Sequence, residues 1–185
     1  MPDLLRPYRK LAQANLLANA RLHRACALLD PAELSAPRPA FFRTIQATLN
    51  HILLVDRFYL GALHGLRLDP SALEEARHCP DLATLIRWQQ AEDLRLLDHI
   101  SGLTPDRLGE TVAIDRGERA QQDRRDDILL HLMTHQVHHR GQVHDMLSAT
   151  PVKPPQLDEF IVGDDHAARV EDMAALGWSE AELMR

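Results

Sequence analysis

Five of the chain's eleven histidines, His131, His135, His138, His139 and His144, fall within the fourteen-residue run HLMTHQVHHRGQVH. No proline or turn signal interrupts the helical pattern there. Successive residues on an α-helix are about 100° apart, so residues four apart share a face. His135 and His139 therefore project the same way, one turn apart. Two imidazoles so arranged are half of a metal site, and a third nitrogen would complete its protein ligands.

The elements that must position them can be read from the prolines, which break helix interiors. Four long proline-free windows, 8–30, 40–69, 81–104 and 106–150, each contain a helical pattern. The first helix is expected over Leu4–Leu29, with Tyr8, Leu11, Leu22, Ala25 and Leu29 at helical spacing. The second, Phe41–His64, is apolar on most sides and therefore buried. The third begins after Pro80 with Asp81 as N-cap and runs to Ile100. The fourth covers Arg124–Ser148. Between the last two, TVAI followed by Asp115-Arg116-Gly117 suggests a short hairpin. The prolines of PVKPPQLDEF force an extended path, and short helices follow over Ala167–Leu176 and from Ser179, where Ser179 and Glu182 have capping-box spacing. The expected fold is all-α: a four-helix bundle with long inter-helix connections at about 65–80 and 101–123 and a short helical C-terminal extension. One domain spans 1–185, with a core over 3–150 and the extension over 151–185.

Bundle cores follow an alternating three-and-four spacing. In the fourth helix one such seam reads Ile128, Leu132, His135, His139, Gln142, Met146. In the second it reads Thr44, Thr48, His51, Val55, Phe58, Ala62. His51 is a lone imidazole in the most apolar helix. By itself it is better read as a core histidine bonded to a carbonyl or an acid, and the HxxxH pair by itself as a polar face. Buried polar groups without partners cost about 1–3 kcal/mol each, so three histidines on inward seams need a common reason. A divalent cation held by His51, His135 and His139 supplies it.

The other polar residues have weaker claims. His138 is about 100° from His139 and cannot easily join it on one ion, which leaves a supporting role. His131 belongs at the core edge or surface, and His144, His23, His64, His78, His99 and His166 have no evident partner. Gly141, inside a helix, suggests close backbone approach. Gln89 and Asp93 share a seam with Leu82, Leu85, Leu96 and Ile100; they line a polar pocket, orient a ligand histidine, or sit on a solvated edge. Asp56, Tyr59 and Gln142 are near the histidines in sequence, which is too little to nominate a general base.

Three neutral imidazoles leave coordination positions open, as catalytic rather than structural zinc sites do, and neither Cys26 nor Cys79 is placed to fill one. Such an ion lowers the pKa of a bound water toward about 7 or activates a thiolate. All-nitrogen ligation suits zinc, nickel, copper or iron. The composition narrows the partners. With 21 Lys and Arg against 27 Asp and Glu, the net charge of −6 and the lack of a basic run argue against nucleic acid or an anionic membrane. The start, MPDLLRPYRKLAQAN, lacks the apolar core of a signal peptide, no stretch is apolar enough for a membrane span, and two unpaired cysteines fit a reducing cytoplasm.

The segments TLNHILLVDRFYL around His51 and HLMTHQVHHRGQVHDML around His135 and His139 resemble the DinB/YfiT-like family, with further likeness in LAQANLLANARL and PPQLDEF. This is a DNA-damage-inducible group associated with metal-dependent chemistry, distinct from the lesion-bypass polymerase of the same name. The resemblance implies a four-helix bundle, a three-histidine site with zinc or nickel, and frequently a homodimer. It carries the metal ligands onto His51, His135 and His139. Relatives of this kind include transferases and isomerases that use low-molecular-weight thiols, so the implied partner is a small-molecule substrate. The expectation is a metal-dependent enzyme activating a thiol or water. The alternative is a non-catalytic stress-response protein whose ion is structural, with a closed coordination shell. Direct DNA binding is suggested by the family name alone, and the acidic charge opposes it.

Overall fold

The computed structural model describes residues 3–67, 69–158 and 165–184. Among them, four long helices dominate: α1 (Arg6–Cys26), α3 (Ile45–Leu63), α5 (Leu82–Ser101) and α6 (Arg125–Leu147). Between and after them lie α2 (Pro31–Ser35), α4 (Pro70–Arg77), a 3-10 turn (Pro105–Gly109), the strands β1 (Thr111–Asp115) and β2 (Ala120–Arg124), α7 (His166–Leu176) and α8 (Glu180–Met184). The fold is mostly helical. Both α1 and α3 pack on α5 and α6.

Local chemistry explains the boundaries. The Thr44 hydroxyl accepts from the Ala47 N–H at 3.0 Å and the Asp81 carboxylate from the Thr84 N–H at 2.8 Å, starting α3 and α5. Thus α3 begins four residues later than the apolar pattern from Phe41 suggests. Both α2 and α4 lie where linkers were expected. Each starts with Asp-Pro, and a proline at the first helical position begins a helix rather than breaking one, because its missing N–H is not needed there. The hairpin forms as expected, β1 pairing antiparallel with β2 and burying Val112 and Ile114. Ser179 and Glu182 form the reciprocal capping box, with N–H donations of 2.8 and 3.2 Å. The extension docks on α1 through Leu17, Ala18, Met173 and Leu183. The last residues of PVKPPQLDEF, 159 and 160, lie outside the described residues.

The core has two apolar ends. One holds Cys26, Ile45, Leu49, Leu53, Leu85 and Val143; the other holds Leu60, Leu96, Ile100, Ile114, Ile128 and Leu132. Between them each long helix contributes polar side chains: Asn15 and Asn19 from α1, Asp56 from α3, Gln89 and Asp93 from α5, Gln136 and Arg140 from α6, all buried. They close a ring. Arg140 donates to Asn15, to Asn19 at 3.1 Å and to Gln136 at 3.2 Å. The two asparagines donate to Asp93 at 2.9–3.0 Å. Gln89 donates to Asp93 at 3.2 Å and to Asp56 at 2.6 Å, and Gln136 donates to Asp56. Gln89 and Asp93 are therefore neither a solvated edge nor partners of a ligand histidine. Burial raises both carboxylates, Asp93 to about 6 and Asp56 well above its usual range.

Two expectations fail on packing. Leu11 is exposed, and Ala12 and Leu16 take the inward positions of α1. No backbone approaches Gly141: a methyl group there would meet open space. With only the entropic cost of glycine remaining, Gly141→Ala should raise unfolding stability by about 1 kcal/mol, read as a higher denaturant midpoint at unchanged slope. A second prediction concerns His23, buried on α1, whose pKa is lowered to about 4 by burial and then by Arg140. The unfolded chain takes up this proton near 6.5 and the folded one only near 4. The stabilisation is thus complete above pH 6.5 and lost as pH falls through 4, up to about 3 kcal/mol. His23→Leu should flatten the acid side of the stability profile by that order, measured by urea unfolding between pH 7 and 4.

Candidate metal centre

On α6 two seams run side by side. Leu129, Met133, Gln136, Arg140, Val143 and Leu147 face the core and carry the polar ring's contribution. Rotated from them run Ile128, Leu132, His135, His139, Gln142 and Met146, of which His135 and His139 meet His51 of α3. The helix turns His51 of α3 toward the same point. One donor atom from each of His51, His135 and His139 lies within 4.8 Å of the others, and this is the group among the described residues that can hold a metal ion. His51 Nε2 and His135 Nε2 are 3.0 Å apart. The rings of His135 and His139 are 4.3 Å apart between centroids, and those of His51 and His139 4.6 Å.

These residues fit a cation. Nitrogens held 2.0–2.1 Å from a tetrahedral ion sit roughly 3.3 Å apart; the His51 and His135 Nε2 atoms are 3.0 Å apart and all three donors lie within 4.8 Å of one another. Ligand imidazoles must be neutral. Burial, followed by the charges of neighbouring His139 and Arg77, lowers His51 to about 4; burial and then His139 and His51 lower His135 to about 3. His139 is lowered too, chiefly by burial. The His135 Nε2 faces His51 Nε2, so its lone pair is the one an ion would take, while the buried Nδ1 has no hydrogen-bond partner among the described residues.

The surroundings add what the sequence left open. The His139 Nδ1–H donates to Gln142 Oε1 at 2.8 Å, since an amide oxygen can only accept; this leaves the His139 Nε2 lone pair free for a metal. Gln142 Nε2 in turn contacts His138 Nε2 at 3.1 Å. Gln142 thus orients a candidate ligand, and His138 supports Gln142, the supporting role its angle suggested. Phe42 covers the site: its ring stacks on His51 at 4.2 Å and lies 5.5 Å from His139. Sequence reading placed Phe42 inside a helix. It lies before one, and Arg43, in the left-handed region at φ 65°, turns the chain between Phe42 and the Thr44 cap. An aromatic pair one residue ahead of a capping threonine was the available signal.

The remaining candidates separate clearly. Asp56 is buried in the polar ring and bonds Gln89 and Gln136, not a histidine. Exposed His131 extends the row, 5.8 Å from the His135 ring and 4.7 Å from that of Tyr59. His144 bonds the Pro155 carbonyl at 2.9 Å and His64 and His99 pack ring on ring, partners that spacing did not reveal, while His78 meets Glu74 one helical turn before it. Cys26 and Cys79 are both buried and free, and neither belongs to the three-histidine group.

Compared with known protein families, residues 1–168 match the model of the DinB family. The chain belongs to the DinB family. No curated protein matches it significantly. The family and the three convergent histidines together indicate a divalent metal ion.

If Gln142 fixes the His139 tautomer, Gln142→Leu should weaken metal binding about 10–100-fold without unfolding the chain. Competition against a chromophoric chelator measures this, and unchanged affinity would show that the contact is incidental.

Proposed function

We propose that the chain is a divalent-metal-dependent enzyme of the DinB family. His51, His135 and His139 hold the ion in an open site that activates a thiol or water for group transfer, isomerisation or hydrolysis. One observation carries this reading: three neutral imidazoles from two helices converge with no thiolate or carboxylate in their group among the described residues. A bound ion would supply Lewis acidity, lowering the pKa of a thiol or water placed against it. The protein's own side chains do the rest. His51 and His135 are half-buried rather than fully enclosed. Gln142 holds the His139 proton on Nδ1. Phe42 shields the apolar side of His51.

Zinc or nickel is the proposed metal, and a small molecule, with a low-molecular-weight thiol as cosubstrate, the proposed partner. We take the four long helices as a four-helix bundle forming one domain with its extension, acting in the cytoplasm. Among the described residues no helix is long and apolar enough to cross a membrane, and the charge of −6 disfavours nucleic acid. A homodimer is supported by exposed Leu11 on α1 and by Leu130 and Val137, one face of α6.

The test is metal content, by mass spectrometry, of untagged protein beside His51→Ala and His139→Ala. About one equivalent of zinc or nickel per chain, lost in both variants, is expected. Chelation should then abolish turnover in a thiol-substrate screen while leaving the helical signal intact. A parent that takes up no metal when supplied contradicts the reading. A bound ion whose removal unfolds the chain points instead to a structural metal.

A further inference from the structure

We propose that Arg116, on the hairpin loop, is an anion-binding residue that selects substrates or cosubstrates carrying a carboxylate at a distance from their reacting atom. The inference rests on the metal-dependent reading above and names the chemistry its ligand would carry.

The row of rings on α6 does not stop at the metal centre. It passes from His135 to His131 and on to Tyr59 of α3. Beyond Tyr59 stands the Arg116 guanidinium, 4.8 Å over the Phe58 ring and 5.4 Å over that of Tyr59. Its Nη2 donates to the Tyr59 hydroxyl at 2.8 Å and its Nε to Gln121 Oε1 at 3.0 Å. Its positive charge also reaches His131, whose pKa it helps to lower.

Both of those hydrogen-bond partners are neutral. Three arginines on neighbouring elements are neutralised: Arg67 by Asp115 at 2.8 Å, Arg124 by Asp126 at 2.7 Å, Arg125 by Glu110 at 3.0 Å; Arg119 of the same loop is exposed, and Arg116 is the one set against the row of rings. Arg116 has no carboxylate within ion-pair distance among the described residues. The carboxylate that faces His131 from the hairpin is Asp123, which is held by Gln121. A guanidinium has five N–H donors, so most of those of Arg116 remain available. Two aromatic faces and two hydrogen bonds already hold the fork still, which lowers the entropy lost when it binds. One guanidinium balances one negative charge and matches a carboxylate edge-on. A ligand whose reacting atom meets the three histidines and whose carboxylate lies several bonds away would run along this row to Arg116.

The test uses the full chain loaded with cobalt(II), whose absorption reports thiolate coordination directly. Glutathione, with carboxylates several bonds from its thiol, is titrated beside its diethyl ester, which keeps the thiol and loses those charges. Glutathione should bind about ten-fold more tightly. The advantage should vanish in Arg116→Gln and persist in part in Arg116→Lys, with the cobalt spectrum of the thiol-free protein unchanged. Equal binding of acid and ester, or an advantage that survives Arg116→Gln, overturns the proposal and leaves the thiol reading standing. If neither compound produces a thiolate band, the thiol reading fails, and calorimetry with succinate decides the anion site alone. Heat of binding lost in Arg116→Gln then supports it, and no binding to the parent overturns it.

Discussion

The hydrogen bond from Gln136 to Asp56 ties the helix carrying two of the candidate ligands to the helix carrying the third. Gln136 is next to His135, and Asp56 is little more than one turn beyond His51. Any rotation or slide of α6 against α3 that displaced the imidazoles would break this bond and leave a buried amide or carboxyl unpaired, at about 1–3 kcal/mol. The rest of the ring extends the constraint to α1 and α5, with Arg140 bonded to both asparagines of α1 and Asp93 receiving bonds from α1 and α5. An all-apolar layer would tolerate alternative registers; a closed polar ring tolerates one. Replacing such ionic layers with apolar residues often raises stability, so the ring's contribution here is register.

The candidate metal centre sits on the adjoining seam, which this register holds in place. Its histidines are buried enough to be held neutral, and two of them are half-buried rather than fully enclosed, a combination suited to ligands of an exchangeable ion. Gln142 lies one turn beyond His139 on the same seam and turns a generic imidazole into one with a defined lone pair. Membership of the DinB family and the three-histidine geometry agree on a divalent metal. Beyond the centre, the hairpin places Arg116 where the row of rings ends. The strands are too small to contribute much core, and their chief consequence for chemistry is that placement.

Much of this was legible in the residues. Helical periodicity located the four long helices, and the alternating spacing picked His51, His135 and His139 from eleven histidines. Periodicity reports which way a side chain points and says little about what it meets. Gln136 and Arg140 sit beside the histidine seam, and their charge and polarity disguised a fully buried face. Gln89 and Asp93 were assigned to the correct seam, but their partners come from two other helices and leave no local trace. Phe42 reaches His51 through the left-handed Arg43, a backbone state that sequence rarely announces. The Asp-Pro starts of α2 and α4 were readable, since proline at the first helical position is favoured; treating every proline as a breaker hid them.

X-ray absorption at the metal edge of the loaded, untagged protein tests the central claim most directly. Three imidazole rings at about 2.0–2.1 Å, completed by light oxygen scatterers from solvent, are expected. A sulfur scatterer, or fewer than three imidazoles around the ion, would contradict an open three-histidine centre.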